Sequence, residues 1–166
     1  MTTHLRRGLT ALGTIAIVLG SVLAVAATPA SSATQPAIQV LTNIRTGLNT
    51  GFDRVVLDMS DGQRPDVRYE VTDELIQDGS GEIFWLAGEY FVSVVVNPAY
   101  AHDRGGNPSY PQPQRFRTRN LHNVMAVGLT GDFEGYVSIG LGIRYQSWVR
   151  VFTLIAPNRV VIDVGH

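Results

Sequence analysis

His102 and Asp103 adjoin in a stretch studded with proline and glycine, and they form the best acid–base pair the sequence offers. Histidine titrates near neutrality and a carboxylate can orient it. No serine, threonine or second acid is marked out as a partner for the pair, and Ser80, set between Gly79 and Gly81, lacks the neighbours of a nucleophile elbow. His102, Asp103 and the distant His122 match no metal-ligand spacing, so a solvated loop histidine is expected, with no metal and no cofactor. Asp132 and Glu134 bracket Phe133, and two positions along a strand put side chains on one face about 7 Å apart, a pairing relevant to glycoside hydrolysis. The glycines beside them point to structure instead: Gly131-Asp132 reads as a turn, Gly135 relieves crowding and Phe133 packs inward. Gly140 and Gly142 read as a bend or bulge, since no helix follows them to cradle a phosphate.

Binding chemistry is better represented. Between Tyr100 and Arg119, the rings of Tyr100, Tyr110 and Phe116 offer flat faces to sugars, while Arg104, Arg115, Arg117 and Arg119 stand against one acid, Asp103. The candidate ligand-binding set is therefore Tyr100, His102, Asp103, Tyr110, Arg115, Arg117 and Arg119. If residues 115–119 are extended, the three alternating arginines share one face; an edge strand guarded by charge accounts for the same alternation. Trp85 and Trp148 read as core or rim residues and are left out of the set.

These residues must be positioned by strands. Hydrophobic residues make up 45% of the 166 and charged residues 16%, the balance of one core-forming domain. Thirteen arginines nearly cancel fourteen acids, which removes the field expected of a general nucleic-acid binder, and the absence of cysteine excludes disulfides and thiolate chemistry. Ile38, Val40, Thr42 and Ile44 alternate with polar or outward positions, Thr46 to Gly51 reads as a turn, and Phe52 to Met59 is rich in β-branched residues. Val67, Tyr69 and Val71 alternate again; a helical turn is weighed near Asp73 to Ile76; and the run Tyr90 to Val96 suits a strand buried on both sides. Residues 97–120 carry four prolines and read as one long outer loop, followed by strands over Val124–Leu129, Tyr136–Ile143, Val149–Leu154 and Val160–Val164. Eight or nine short strands predict an all-β antiparallel β-sandwich. Asp53-Arg-Val-Val-Leu-Asp58 is echoed by Asn158-Arg-Val-Val-Ile-Asp163, as expected of matching strands in two similar sheets.

The first thirty residues differ in kind. Arg6 and Arg7 precede an uncharged apolar run from Leu9 to Ala27, and small residues follow, which reads as a signal peptide over residues 1–33 cleaved after Ala33. Ala24-Val25-Ala26 is a second possible cleavage context, and a retained anchor is the alternative because about 20 apolar residues span a bilayer. The context around Arg6-Arg7 fits the general secretory route better than twin-arginine export. Residues 34–37 are a short linker and 38–166 the folded domain, with eleven arginines against fourteen acids after cleavage.

Seven ordered motifs now stand together: Phe52-Asp-Arg-Val-Val-Leu-Asp58, Asp78-Gly-Ser-Gly81, Asn97-Pro-Ala-Tyr-Ala-His-Asp103, Gly131-Asp-Phe-Glu-Gly135, Gly140-Leu-Gly142, Val151-Phe-Thr-Leu154 and Arg159-Val-Val-Ile-Asp163. In this order they resemble the AMIN-like domain of secreted proteins and lipoproteins of high-GC Gram-positive bacteria, from about Ile38 to Val164. The resemblance implies two related β-sheets and, through the AMIN domain, envelope targeting by contact with peptidoglycan. Many relatives are lipoproteins, whereas this chain has no cysteine to carry a lipid. The expectation is a secreted, non-enzymatic, envelope-associated module that recognises cell-wall glycan, with no nucleic-acid partner and membrane contact only through a retained signal segment. A protein-interaction module for an exported partner is the alternative, and a hydrolase dependent on His102 ranks behind it.

Overall fold

The computed structural model describes residues 37–166. The expected signal peptide and all but the last residue of the linker lie outside the described residues. Ten strands follow one another with no helix among the described residues: β1 (Gln39–Asn49), β2 (Phe52–Met59), β3 (Asp66–Thr72), β4 (Tyr90–Asn97), β5 (Ala99–Tyr100), β6 (Arg115–Arg117), β7 (Val124–Phe133), β8 (Tyr136–Ile143), β9 (Val149–Leu154) and β10 (Arg159–Gly165). They form two five-stranded sheets, ordered β5-β1-β2-β10-β9 and β3-β4-β8-β7-β6, so the expected sandwich is present. The strands beyond the expected eight or nine are β5 and β6, short pieces of the segment read as loop. The helical turn near Asp73 to Ile76 is absent; Ile76 instead bridges Ile83 across a tight antiparallel reversal.

The core lies between the sheets and is built by alternation. Val55 and Leu57 of β2 and Val160, Ile162 and Val164 of β10 face Val92, Val94 and Val96 of β4 and Val137, Ile139, Leu141 and Ile143 of β8, all essentially without exposure. In β1 the expected face is shifted. Thr42 is the extra residue of a β-bulge between Leu41 and Asn43, so Leu41 and then Ile44 turn inward while Val40 and Thr42 do not. β1 also continues through residues 46–49, and the connection to β2 shrinks to Thr50-Gly51, with Gly51 at φ 83°.

The Arg-Val-Val echo has a different meaning from the expected one. The two motifs do not belong to separate sheets: β2 and β10 pair with each other, antiparallel, with Val56 opposite Val161. That register brings Arg54 opposite Asp163 and Asp58 opposite Arg159, because an antiparallel pairing of the same Arg-x-x-x-Asp motif is charge-complementary with itself. Arg54 donates two hydrogen bonds to Asp163 at 2.6 and 2.9 Å, and Arg150 from β9 donates a third at 2.7 Å. Arg45 clamps Asp58 in the same forked way at 2.7 and 2.6 Å.

The outer face of β7 and β8 is covered by the chain itself. Residues 73–89 fold back across it, burying Leu75 and Phe84, and this, rather than β4, makes β8 the strand buried on both faces. The cover sits where side chains are missing. A Cβ on Gly128 would lie 2.6 Å from the Phe84 ring, one on Gly140 would strike the Leu75 side chain, and one on Gly142 would strike the Ala87 carbonyl oxygen. Gly140 and Gly142 thus make room for the cover rather than bend the strand.

Two predictions follow from this packing. Gly142→Ala should lose about 2–3 kcal/mol in urea unfolding, because the group it strikes is backbone, whereas Gly47→Ala, with nothing within 4 Å, should change stability by less than about 0.5 kcal/mol. Burial raises the Asp163 carboxyl but the Arg54 and Arg150 guanidiniums outweigh it, and Arg45 holds Asp58 down, so both lie below the ordinary carboxylate range. Depressed folded values contribute stability above the unfolded value near 3.8 and lose it as pH falls through the folded value. Unfolding followed from about pH 6 down to about pH 2 should therefore show a steep acid loss that Asp163→Asn flattens.

Candidate functional site

The segment read as an outer loop is laced to both sheets. Leaving β4, the chain forms β5, which pairs parallel with Gln39 and Val40 at the edge of the first sheet. Ser109 Oγ donates to Leu41 O at 2.6 Å, and the Gln112 side chain accepts from Ile44 N and donates to Ile44 O and Asn43 Oδ1. The chain then crosses to the second sheet, where β6 pairs with β7. Unpaired backbone groups along β1 and β7 supply the reason, since each edge gains partners.

This lacing sorts the candidate residues. Tyr110 is 7% exposed and sits in the core between the sheets, so the expectation of a free ring there is corrected; burial, with Asp132 nearby, pushes its hydroxyl upward in pKa. Tyr100 and His102 stay half-buried, rings 5.1 Å apart, and with Asp103, Asp61 and Ser109 they line a concavity of about 650 Å³. His102 does not use its neighbour Asp103. Its Nδ1 lies 2.6 Å from Asp132 Oδ2, while Asp103 accepts hydrogen bonds from Asn107 and Gly105 within its own turn and is held below the ordinary carboxylate range by them. Asp132 is thus a strand residue and a histidine partner, and the turn lies three positions beyond the expected Gly131-Asp132, at Glu134-Gly135, both at positive φ. Phe133, expected inside, is 64% exposed at the hairpin tip. The hydroxyls beside His102 are engaged by backbone: Ser109 donates to Leu41 O, and Ser60 Oγ accepts from Val40 N at 2.8 Å.

The arginines fall elsewhere. Arg115 and Arg117 project from β6 with Phe116 turned to the core between them, which is the expected alternation. It stops there: Thr118 Oγ1 bonds Val124 O at 2.5 Å, and Arg119 is exposed in the bend beyond. Arg115 lies over the Phe84 ring at 4.1 Å and donates to Trp85 O at 2.9 Å. With Trp85 and Ala126, Arg115 and Arg117 line a recess of about 210 Å³, separate from the one at His102. The candidate set is therefore two neighbourhoods, not one concavity. Trp85, set aside in the sequence, is 75% exposed and belongs with the arginines; its position between Phe84 and Leu86 in an apolar run gave no sign that the ring points outward. Among the described residues Arg115, Arg117 and Arg119 enter no ion pair, unlike Arg45, Arg54 and Arg150 on the first sheet. His122 precedes β7, roughly 25 Å of strand from Asp132, so it cannot join His102 and Asp103, and no group of three metal-ligating side chains occurs among the described residues.

A family model for the AMIN-like domain matches residues 39–166, more than three quarters of the chain and the whole of the sandwich. No curated protein matches. On that family match the chain belongs to the AMIN-like domain family, which points to an envelope-associated module.

Proposed function

We propose that this protein is exported and binds cell-wall glycan without turning it over, using the side of the sandwich formed by β6 and the turn that carries Trp85. The observation that carries the reading is the coincidence of two arginines that have no acid partner among the described residues with a tryptophan exposed by 75% around one recess. Peptidoglycan presents sugar rings and peptide carboxylates together, and a flat indole beside two forked guanidiniums suits that combination. The domain's overall acidic balance makes this positive edge local rather than general. Tyr100, His102 and Asp103 supply a second, larger concavity on the edge of the other sheet, a secondary contact for a long polymer. Beside the His102–Asp132 pair the Ser109 hydroxyl is donated to Leu41 O, so that serine is not poised as a nucleophile for it.

Co-sedimentation with purified cell wall at low salt tests the reading. The wild-type protein should pellet, and the Arg115, Arg117 and Arg119 triple alanine variant and Trp85→Ala should each lose about fivefold or more of the bound fraction. Charge-assisted contacts at an exposed edge should also weaken as salt rises. Protein that stays in the supernatant, or a triple variant that pellets like the wild type, contradicts it; retention by an exported protein instead of the polymer would move the assignment to the protein-interaction class.

A further inference from the structure

At the end of the sandwich remote from His102, two imidazoles converge. His122 Nδ1 and His166 Nδ1 are 3.2 Å apart, with the rings at 65° and their centroids at 4.3 Å. The hydrogen-bonding around His166 fixes which of its nitrogens carries a proton. Its Nε2 is 3.2 Å from Asn49 O and 3.7 Å from Asp53 Oδ1, and both are acceptors, so Nε2 must be the protonated nitrogen. In the neutral ring this leaves Nδ1 unprotonated, 3.2 Å from His122 Nδ1. The same carboxylate positions the second histidine: Asp53 Oδ1 accepts the backbone N–H of His122 at 3.2 Å, while Oδ2 accepts those of Asn123 and Val124 at 2.6 and 2.8 Å.

We infer that His122 and His166 form a two-histidine site for a late first-row divalent cation, zinc being the ion argued for. Two nitrogens bound to tetrahedral zinc at 2.0–2.1 Å stand about 3.3 Å apart, and the two Nδ1 atoms already hold that spacing. The far-side proton of a ligating imidazole is normally given to a carbonyl or carboxylate, which fixes ring orientation and raises ligand basicity; Asn49 O and Asp53 perform that task for His166. Imidazole suits zinc and copper over magnesium or calcium. The His166 side chain is 11% exposed and held, whereas His122 is exposed, so the pair is open to solvent and water fills the remaining positions on the ion. A bare hydrogen bond between the two rings is the competing account of the same distance, and it requires no ion.

The test is titration of the untagged protein with zinc chloride, followed by calorimetry and by the unfolding midpoint. The inference expects one saturable site and a rise of roughly 5 °C at zinc about ten times its dissociation constant. His122→Ala should abolish both effects and His102→Ala should leave both intact. Copper(II) in place of zinc gives a readout independent of stability: its paramagnetic resonance should carry coupling from two imidazole nitrogens in the wild type and one in His122→Ala. Absence of saturable zinc binding, binding undiminished in His122→Ala, or loss of binding in His102→Ala overturns the inference.

Discussion

A carboxylate with no exposure sits at one end of this sandwich, and its neighbours are arranged around its need for donors. Asp53 lies on the inward face of β2, where alternation would otherwise place an apolar side chain, and burying it is costly unless the charge is fully hydrogen-bonded. Three backbone N–H groups, from His122, Asn123 and Val124, meet that need, and they come from the start of β7 in the opposite sheet. Asn123 extends the network: its amide donates to Tyr145 O and Gly165 O, and its oxygen accepts from Arg144 and Tyr145. One side chain and its neighbour thereby hold β2, the start of β7, the end of β10 and the turn leaving β8 in fixed relation at that end. At the far end the Gly135 carbonyl accepts from Ala99 N and Asn97 Nδ2, so the hairpin of β7 and β8 is also tied to the start of the laced segment.

Much of this was legible where a residue's role depends on its own strand. β-branched alternation identified eight strands with bounds close to those observed, but the strand covered on both faces is β8 and not the apolar run of β4, because the cover by residues 73–89 lies on β7 and β8. What alternation could not carry was phase across a bulge: one extra residue at Thr42 exchanges the faces of β1, and nothing in Val40-Leu-Thr-Asn43 marks it. Long-range pairing was equally hidden. The Arg-Val-Val echo was visible, yet whether two like strands lie in separate sheets or beside each other depends on the fold; a motif with arginine at one end and aspartate at the other satisfies itself only when paired antiparallel, as β2 and β10 are.

The site was legible in composition and not in grouping. Prolines and glycines correctly excluded a long strand or helix over residues 97–120, but they concealed that Ser109 and Gln112 would satisfy the edge of β1 and that Tyr110 would enter the core. Adjacency paired His102 with Asp103, whereas the structure pairs it with Asp132, thirty residues away in sequence, because Asp103 is consumed by its own turn. The glycines of β7 and β8 carried a second hidden message: they are the floor on which Leu75 and Phe84 rest, and that cover in turn brings Trp85 to the surface beside β6.

The division of the arginines connects the fold to its surface chemistry. On the first sheet Arg45, Arg54 and Arg150 are spent on Asp58 and Asp163 and serve the sandwich; on β6, Arg115 and Arg117 line the recess beside Trp85 with no acid partner among the described residues. The most direct measurement is a nitrogen-15 titration that follows the arginine Nε–H and tryptophan indole resonances as soluble muramyl-peptide fragments are added. The account predicts saturable shifts confined to Arg115, Arg117, Arg119 and Trp85, with Arg45, Arg54 and Arg150 unmoved. Shifts centred on the first-sheet arginines, or none at all at saturating fragment, would contradict it.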